Sequence, residues 1–227
     1  MEISSLTLIF LLLRGILVLA MPFAVCWYLH KRYGTGIFPA FIGAVTVMLI
    51  LVPRALVRKM FIQGIESDSS KWIAVWLIGA AFEECGRYIA MKHAIPNRDT
   101  VPDAICYGAG HGGTETVMTA LMQFVLFAEA ASGTGERLEA ISQQGFLTAA
   151  EVVCGQASNL AFHIAMSVLI ARAVHWENCK KLIPIAILVH AFCNFTDFCF
   201  GTIADVMLTA VICLLVWLHG RRAADYY

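Results

Sequence analysis

The stretch AAFEECGRY, residues 80–88, places two adjacent glutamates and an arginine inside an apolar run of the chain. That run extends over about residues 71–92, and about 20 mostly apolar residues are enough for a helix to cross a bilayer. An ionised side chain at the bilayer centre costs at least about 2.5–3.5 kcal/mol, so ionisable residues within a span should face the interior of a helix bundle. We therefore predict that this helix carries a polar site into the centre of such a bundle.

The composition of the whole chain is that of an integral membrane protein. Of its 227 residues, 59% are hydrophobic and 14% are charged, and the mean hydropathy is +0.74. These values lie outside the range of ordinary soluble domains. The formal net charge is zero, which gives no electrostatic reason to expect a nucleic-acid partner. The eight cysteines are scattered without a CxxC pair, so neither a disulfide framework nor a zinc ribbon is predicted.

Hydropathy predicts an all-α polytopic membrane protein, a single transmembrane domain over residues 1–227 built as a bundle of about seven helices. The spans are expected near residues 5–29, 36–57, 71–92, 102–131, 146–174, 181–200 and 202–219. The stretch 54–70 could instead form an amphipathic interfacial helix. The first apolar run is expected to be a retained span, because it is too long for the core of a signal peptide.

The basic residues between the spans favour an orientation with the N-terminus outside and the C-terminus inside. This arrangement leaves nine of them on the cytoplasmic side and five outside, as the positive-inside rule prefers. The five outside would be Arg54, Arg58, Lys59, Lys71 and Arg137.

The charged group of the opening stretch contains one cation for two carboxylates. Glu83 and Arg87 are four residues apart and Glu84 and Arg87 are three apart, so the arginine can reach either carboxylate on one helix face. It can neutralise only one of them. The other carboxylate is left to take up a proton, to bind a metal or to act as a base.

A second polar cluster is YGAGHGGTE, residues 107–115. His111 and Glu115 are four residues apart and lie on one helix face. The glycines around them would let a neighbouring helix or an extended substrate approach the backbone closely. Packing alone explains many glycine clusters, but the histidine and the glutamate favour a site.

Two more polar stripes lie on later helices. In HAFCNFTD, residues 190–197, His190 and Asn194 share a face; in QASNLAFH, residues 156–163, His163 follows two amide side chains on one face. Both stripes could equally connect helices through hydrogen bonds.

Together, however, the four clusters contain the groups that hydrolysis needs. A carboxylate can activate a water molecule, imidazoles can bind a metal or carry a proton, and an amide can donate to an oxyanion. The soluble-metalloprotease motif HExxH and the nucleophile motif GxSxG are absent.

The segments EECGR, YGAGH and HAFCN, in that order, resemble the motifs of the membrane-embedded CAAX prenyl protease and bacteriocin-processing superfamily. Within it, GHGGTE and the length of about seven spans most resemble the YhfC-type family of intramembrane metalloproteases, relatives of PrsW. The resemblance covers about residues 71–200. Arg87 follows the second glutamate by three residues, as in the PrsW pattern, whereas the CAAX protease pattern has four.

The resemblance implies an intramembrane endopeptidase that cleaves a membrane-associated protein or peptide in the plasma membrane of a prokaryote. Glu83 or Glu84 would activate water, Arg87 would orient the glutamates, and Asn194 would hold the oxyanion. His111 and His190 would flank the water as ligands or proton carriers. The ligands of a divalent metal, expected to be zinc, would come from His111, His190, Glu84, Glu115 and His163. Three alternatives stay open: a metal-free glutamate and histidine mechanism, a non-catalytic scaffold or immunity-type protein, and a proton-coupled transporter.

Overall fold

The computed structural model describes residues 3–176 and 179–224, and this part of the chain is helical without strands, which confirms the predicted all-α class. The helices are α1 (Ser5–Tyr33), α2 (Phe38–Ile62), α3 (Asp68–Ala94), α4 (Val101–Ser132), α5 (Leu138–Ser142), α6 (Phe146–His175), α7 (Leu182–Phe200) and α8 (Thr202–Ala224).

Each of the seven predicted spans coincides with one long helix, and only the five-residue α5 falls outside them. Among the described helices, α1, α2, α6, α7 and α8 are long and apolar enough to cross a membrane. The helices α3 and α4 have 27 and 32 residues, but they contain the polar clusters, which lower their hydropathy. The count of seven spans and the orientation of the N-terminus therefore stay predictions.

The helix boundaries follow local signals in the sequence. Ser4 caps α1 by accepting a hydrogen bond from the backbone of Thr7, and α1 ends at Gly34, whose φ of 68° is the left-handed conformation that glycine adopts readily. The helix α2 continues through Pro53 to Ile62. Residues 54–62 are thus the end of α2 and not a separate interfacial helix.

The glycines of α4 allow other helices to pack directly on its backbone. A Cβ atom at Gly110 would lie 1.9 Å from the carbonyl oxygen of Ala40 on α2, and one at Gly112 would lie 2.7 Å from Cβ of His163 on α6. Small residues permit such close approach between membrane helices. The glycine cluster therefore acts in helix packing, because it lets α2 and α6 pack closely against α4.

Successive long helices alternate in direction along the chain. Along α4 and α6, Gly108 lies opposite Ile164 and Glu115 lies opposite Asn159, so the two helices are antiparallel. The same holds for α2 with α3 and for α3 with α7. As a result α2, α4 and α7 end on the face of the bundle where α3, α6 and α8 begin.

Candidate hydrolytic site

Each of the two adjacent glutamates of α3 has its own arginine. Glu83 and Glu84 are buried, with 5% and 0% exposure. Arg54 of α2 donates from Nη1 to Oε1 of Glu83 at 2.5 Å. Nε of Arg87 lies 3.3 Å from Oε2 of Glu84. Arg87 compensates the charge of Glu84, and Arg54 compensates the charge of Glu83.

Sequence reasoning missed Arg54 because it placed this residue among the basic residues outside the membrane. The predicted span 36–57 contained Arg54 near its end, but α2 runs on for eight residues after Arg54, whose side chain contacts Glu83. The signal that could have identified it is the apolar segment ALV that follows it, which lets the helix continue. A proline within a membrane helix is tolerated where neighbouring groups satisfy the freed backbone.

Oε2 of Glu83 faces two imidazoles. Nε2 of His111 and Nε2 of His190 each lie 3.7 Å from this oxygen. Neither Oε2 of Glu83 nor either ring nitrogen of His111 has a hydrogen-bond partner among the described residues, and all three atoms are buried. Buried polar atoms normally have partners, so unpaired ones of this kind mark a place for a ligand, an ion or water.

The second glutamate fixes the orientation of one of these imidazoles. Nδ1 of His190 lies 2.8 Å from Oε1 of Glu84. Because a carboxylate accepts, Nδ1 of His190 carries a proton, and in the neutral imidazole the lone pair lies on Nε2, the nitrogen that faces Glu83. A carboxylate behind a histidine is the usual support of a metal-binding imidazole. The predicted ligand Glu84 therefore contacts the side of His190 that points away from Glu83.

Arg87 fixes the tautomer of His163 in the opposite sense. Its Nη2 lies 3.0 Å from Nδ1 of His163, and a guanidinium can only donate. Nδ1 therefore accepts and the ring proton lies on Nε2, which is 3.4 Å from Oε2 of Glu115. In this arrangement His163 is a hydrogen-bond donor toward the carboxylate of Glu115. Arg87 also donates to the backbone oxygen of His163 at 2.5 Å and to Oγ of Ser167 at 2.6 Å, which ties α3 to α6.

The donor atoms of this cluster fit a divalent metal. One ligand atom each from Glu83, His111 and His163 lie within 4.8 Å of one another. Carboxylate oxygen and imidazole nitrogen are both zinc donors. Of the two histidines that can join His111, His190 presents a lone pair to Glu83 whereas His163 presents a proton. His190, which lies outside that group of three, is therefore a further candidate ligand, with Nε2 at 3.7 Å from Oε2 of Glu83.

A cavity of about 640 Å³ leads to this cluster. Glu83, His163 and His190 line it, and so do Glu115 and the half-buried Asn194. The rest of the wall includes polar residues of α4, α6, α7 and α8: Gln123, Glu151, Gln156, Asn159, Asp197 and Asp205. These residues lie toward the face where α4 and α7 end and α6 and α8 begin, so the cavity connects the buried glutamate with that face.

The family assignment rests on the greater part of the chain. Residues 17–213 match the YhfC intramembrane metalloprotease family. The chain belongs to that family. The YhfC match includes every predicted site residue, from Glu83 to Asn194, and the resemblance seen in the sequence to this family is confirmed.

A relative within this family supports the membrane assignment. It is the "Uncharacterized membrane protein YhfC" of Bacillus subtilis (strain 168), 28% identical over 219 residues, which cover 85% of this chain and 84% of the relative. No solved structure gives a significant match. With the five candidate spans, these findings make the chain an integral membrane protein.

Proposed function

We propose that this protein is an intramembrane endopeptidase of a prokaryotic plasma membrane, within the wider CAAX prenyl protease and PrsW superfamily. Its substrate is a peptide bond of a membrane-associated protein or peptide. The observation that carries the proposal is the unpaired Oε2 of Glu83, which two imidazole nitrogens approach at 3.7 Å beside a cavity. The name of the family points to the same chemistry.

Glu83 is the general base of this proposal. Its Oε1 is bound by Arg54, which favours the ionised carboxylate, and its Oε2 is left without a hydrogen bond and can accept the proton of a water molecule. A positioned base of this kind contributes about 10²–10⁴-fold to a hydrolytic rate. Arg54 is the positioning residue that the sequence did not reveal.

A divalent metal, zinc by its donor set, would be held by His111 and His190 with the Glu83 carboxylate beside them. When bound, it would polarise the scissile carbonyl and make a water molecule more acidic. Glu84 holds His190 through Nδ1 so that Nε2 keeps its lone pair toward the cluster.

Two donors are available for the developing oxyanion. His163 carries its ring proton on Nε2 because Arg87 occupies Nδ1, and Asn194 presents an amide from the cavity wall four residues after His190. A preorganised donor in a site that excludes bulk water stabilises a tetrahedral intermediate far more than the same group does in water. Oε2 of Glu115 lies 3.4 Å from Nε2 of His163, so this ring proton must turn from Glu115 to the substrate when His163 donates to the oxyanion.

The proposal is tested with protein reconstituted in liposomes together with a pooled set of synthetic transmembrane peptides, with mass spectrometry to detect products. The wild type should cleave members of the pool, and Glu83→Gln should reduce the rate by at least about 10²-fold. Glu151→Gln is the matched control, because Glu151 is an exposed carboxylate that lines the same cavity.

Two results would contradict the endopeptidase proposal. Equal cleavage by the wild type and Glu83→Gln would show that Glu83 is not the base. A pH-driven flux across the liposome without any cleavage would favour a transporter over a peptidase.

A further inference from the structure

A buried arginine remote from the cavity has a guanidinium nitrogen without a hydrogen bond. Arg172, in the last turn of α6, is 7% exposed. Its Nη1 is buried without a hydrogen bond. A guanidinium stays charged at all physiological pH values. Burial of such a charge is unfavourable unless an anion compensates it, and an anionic group from outside the chain can do so.

The surroundings of Arg172 have the shape and polarity of a hydrocarbon site. Arg172 lines a groove of about 480 Å³ between α4, α6 and α8, a volume within the usual range of ligand sites. Every other residue that lines this groove is apolar, among them Ile105, Ile164, Val168 and Val216. The guanidinium is therefore the single charged group on an apolar wall.

The groove lies at the other end of the bundle from the opening of the catalytic cavity. Its residues belong to the beginning of α4, the end of α6 and the end of α8, whereas the cavity is lined by the beginnings of α6 and α8. The outer side of α8 next to the groove carries the exposed Leu214 and Leu215, at 52% and 59% exposure. Such a surface borders lipid in a membrane, so an acyl chain can enter the groove from the bilayer.

Arginines near helix ends commonly extend the guanidinium into water, whereas Nη1 of Arg172 is buried. Its low exposure places the guanidinium against the apolar groove. We infer that this groove is a binding site for an anionic phospholipid, with an acyl chain between α4, α6 and α8 and the phosphate on Arg172. A phosphate oxygen is a strong acceptor for a guanidinium. This site is independent of the proposed peptidase activity, and its test requires no substrate.

The experiment measures the thermal unfolding midpoint of delipidated wild-type protein in detergent. Phosphatidylglycerol, diacylglycerol with the same chains and inorganic phosphate are added separately. Phosphatidylglycerol at ten times its dissociation constant should raise the midpoint by roughly 3–6 °C. Diacylglycerol and inorganic phosphate should each give a much smaller shift, because one lacks the anion and the other lacks the chain.

Three variants show whether the effect comes from this groove. Arg172→Gln should lose the shift because the charge is gone, and Ala161→Leu should lose it because the added side chain narrows the groove. Lys181→Gln is the control: Lys181 is exposed at the same end of the bundle and should keep the shift.

An equal shift with diacylglycerol would overturn the inference by showing that charge plays no part. An equal shift with inorganic phosphate would overturn it by indicating a free-anion site. If Arg172→Gln does not fold, the three ligands on the wild type and Ala161→Leu still decide the outcome.

Discussion

Nδ1 of His190 lies 2.8 Å from Oε1 of Glu84, and this contact turns the other ring nitrogen toward Glu83. The two neighbouring glutamates of α3 therefore serve different purposes. Glu84 orients a histidine from α7, whereas Glu83 keeps an unpaired oxygen beside the cavity. A helix places consecutive side chains about 100° apart, so adjacent glutamates can reach different partners in a bundle.

Replacement of Glu84 by glutamine should weaken metal binding. The amide oxygen can still accept a hydrogen bond from Nδ1 of His190, but it no longer carries the charge that makes the imidazole a better ligand. Loss of such a supporting carboxylate reduces metal affinity by about 10–100-fold. Competition with a calibrated chelator measures this affinity directly. Unchanged affinity in a folded Glu84→Gln protein would show that the contact has no bearing on a metal.

Arg87→Gln should destabilise the fold far more than Ser167→Ala. Arg87 is fully buried and donates to the backbone of His163 and to Ser167, so its loss leaves Glu84 without a cation. Removal of one partner of a buried ion pair costs about 3–5 kcal/mol, whereas loss of one ordinary hydrogen bond costs about 1 kcal/mol. Thermal unfolding in detergent compares the two. Similar midpoints for both variants would mean that Arg87 does not join α3 to α6.

Gly110→Ala should disturb the contact between α4 and α2. The new Cβ would lie 1.9 Å from the carbonyl oxygen of Ala40, a backbone atom that cannot rotate away. Overpacking of this kind costs typically about 1–3 kcal/mol. Gly79→Ala on α3 is the control, because a Cβ there meets nothing within 4 Å. The account requires a lower unfolding midpoint for Gly110→Ala than for Gly79→Ala, and the reverse order would contradict it.

The sequence predicted the helices well because apolar runs and their polar interruptions are local features. The glutamates, the histidines and Asn194 were found because ionisable and amide groups are rare within membrane spans. The hydrogen-bond and ion-pair partners of these groups were harder to predict from the sequence. Arg87 was expected to contact the glutamates of its own helix, and three further contacts join it to His163 and Ser167 on α6. Such contacts depend on how two helices face each other, which periodicity within either helix does not determine.

The tautomers of the histidines also depend on contacts between helices, which the sequence does not reveal. The sequence did not show which ring nitrogen of each of the three imidazoles would donate and which would accept. Glu84 behind His190 and Arg87 behind His163 make one ring an acceptor and the other a donor toward the cavity. Only the packing of α3 between α6 and α7 creates this difference.

The most direct test of the hydrolytic centre is the metal content of the purified protein by elemental analysis, with His111→Ala, His190→Ala and His93→Ala in parallel. His93 is exposed at the end of α3 and serves as the control. The account predicts about one zinc per chain in the wild type and in His93→Ala, and a clear loss in the other two variants. A folded wild type without metal after expression in zinc-supplemented medium, or equal zinc in all four proteins, would contradict it.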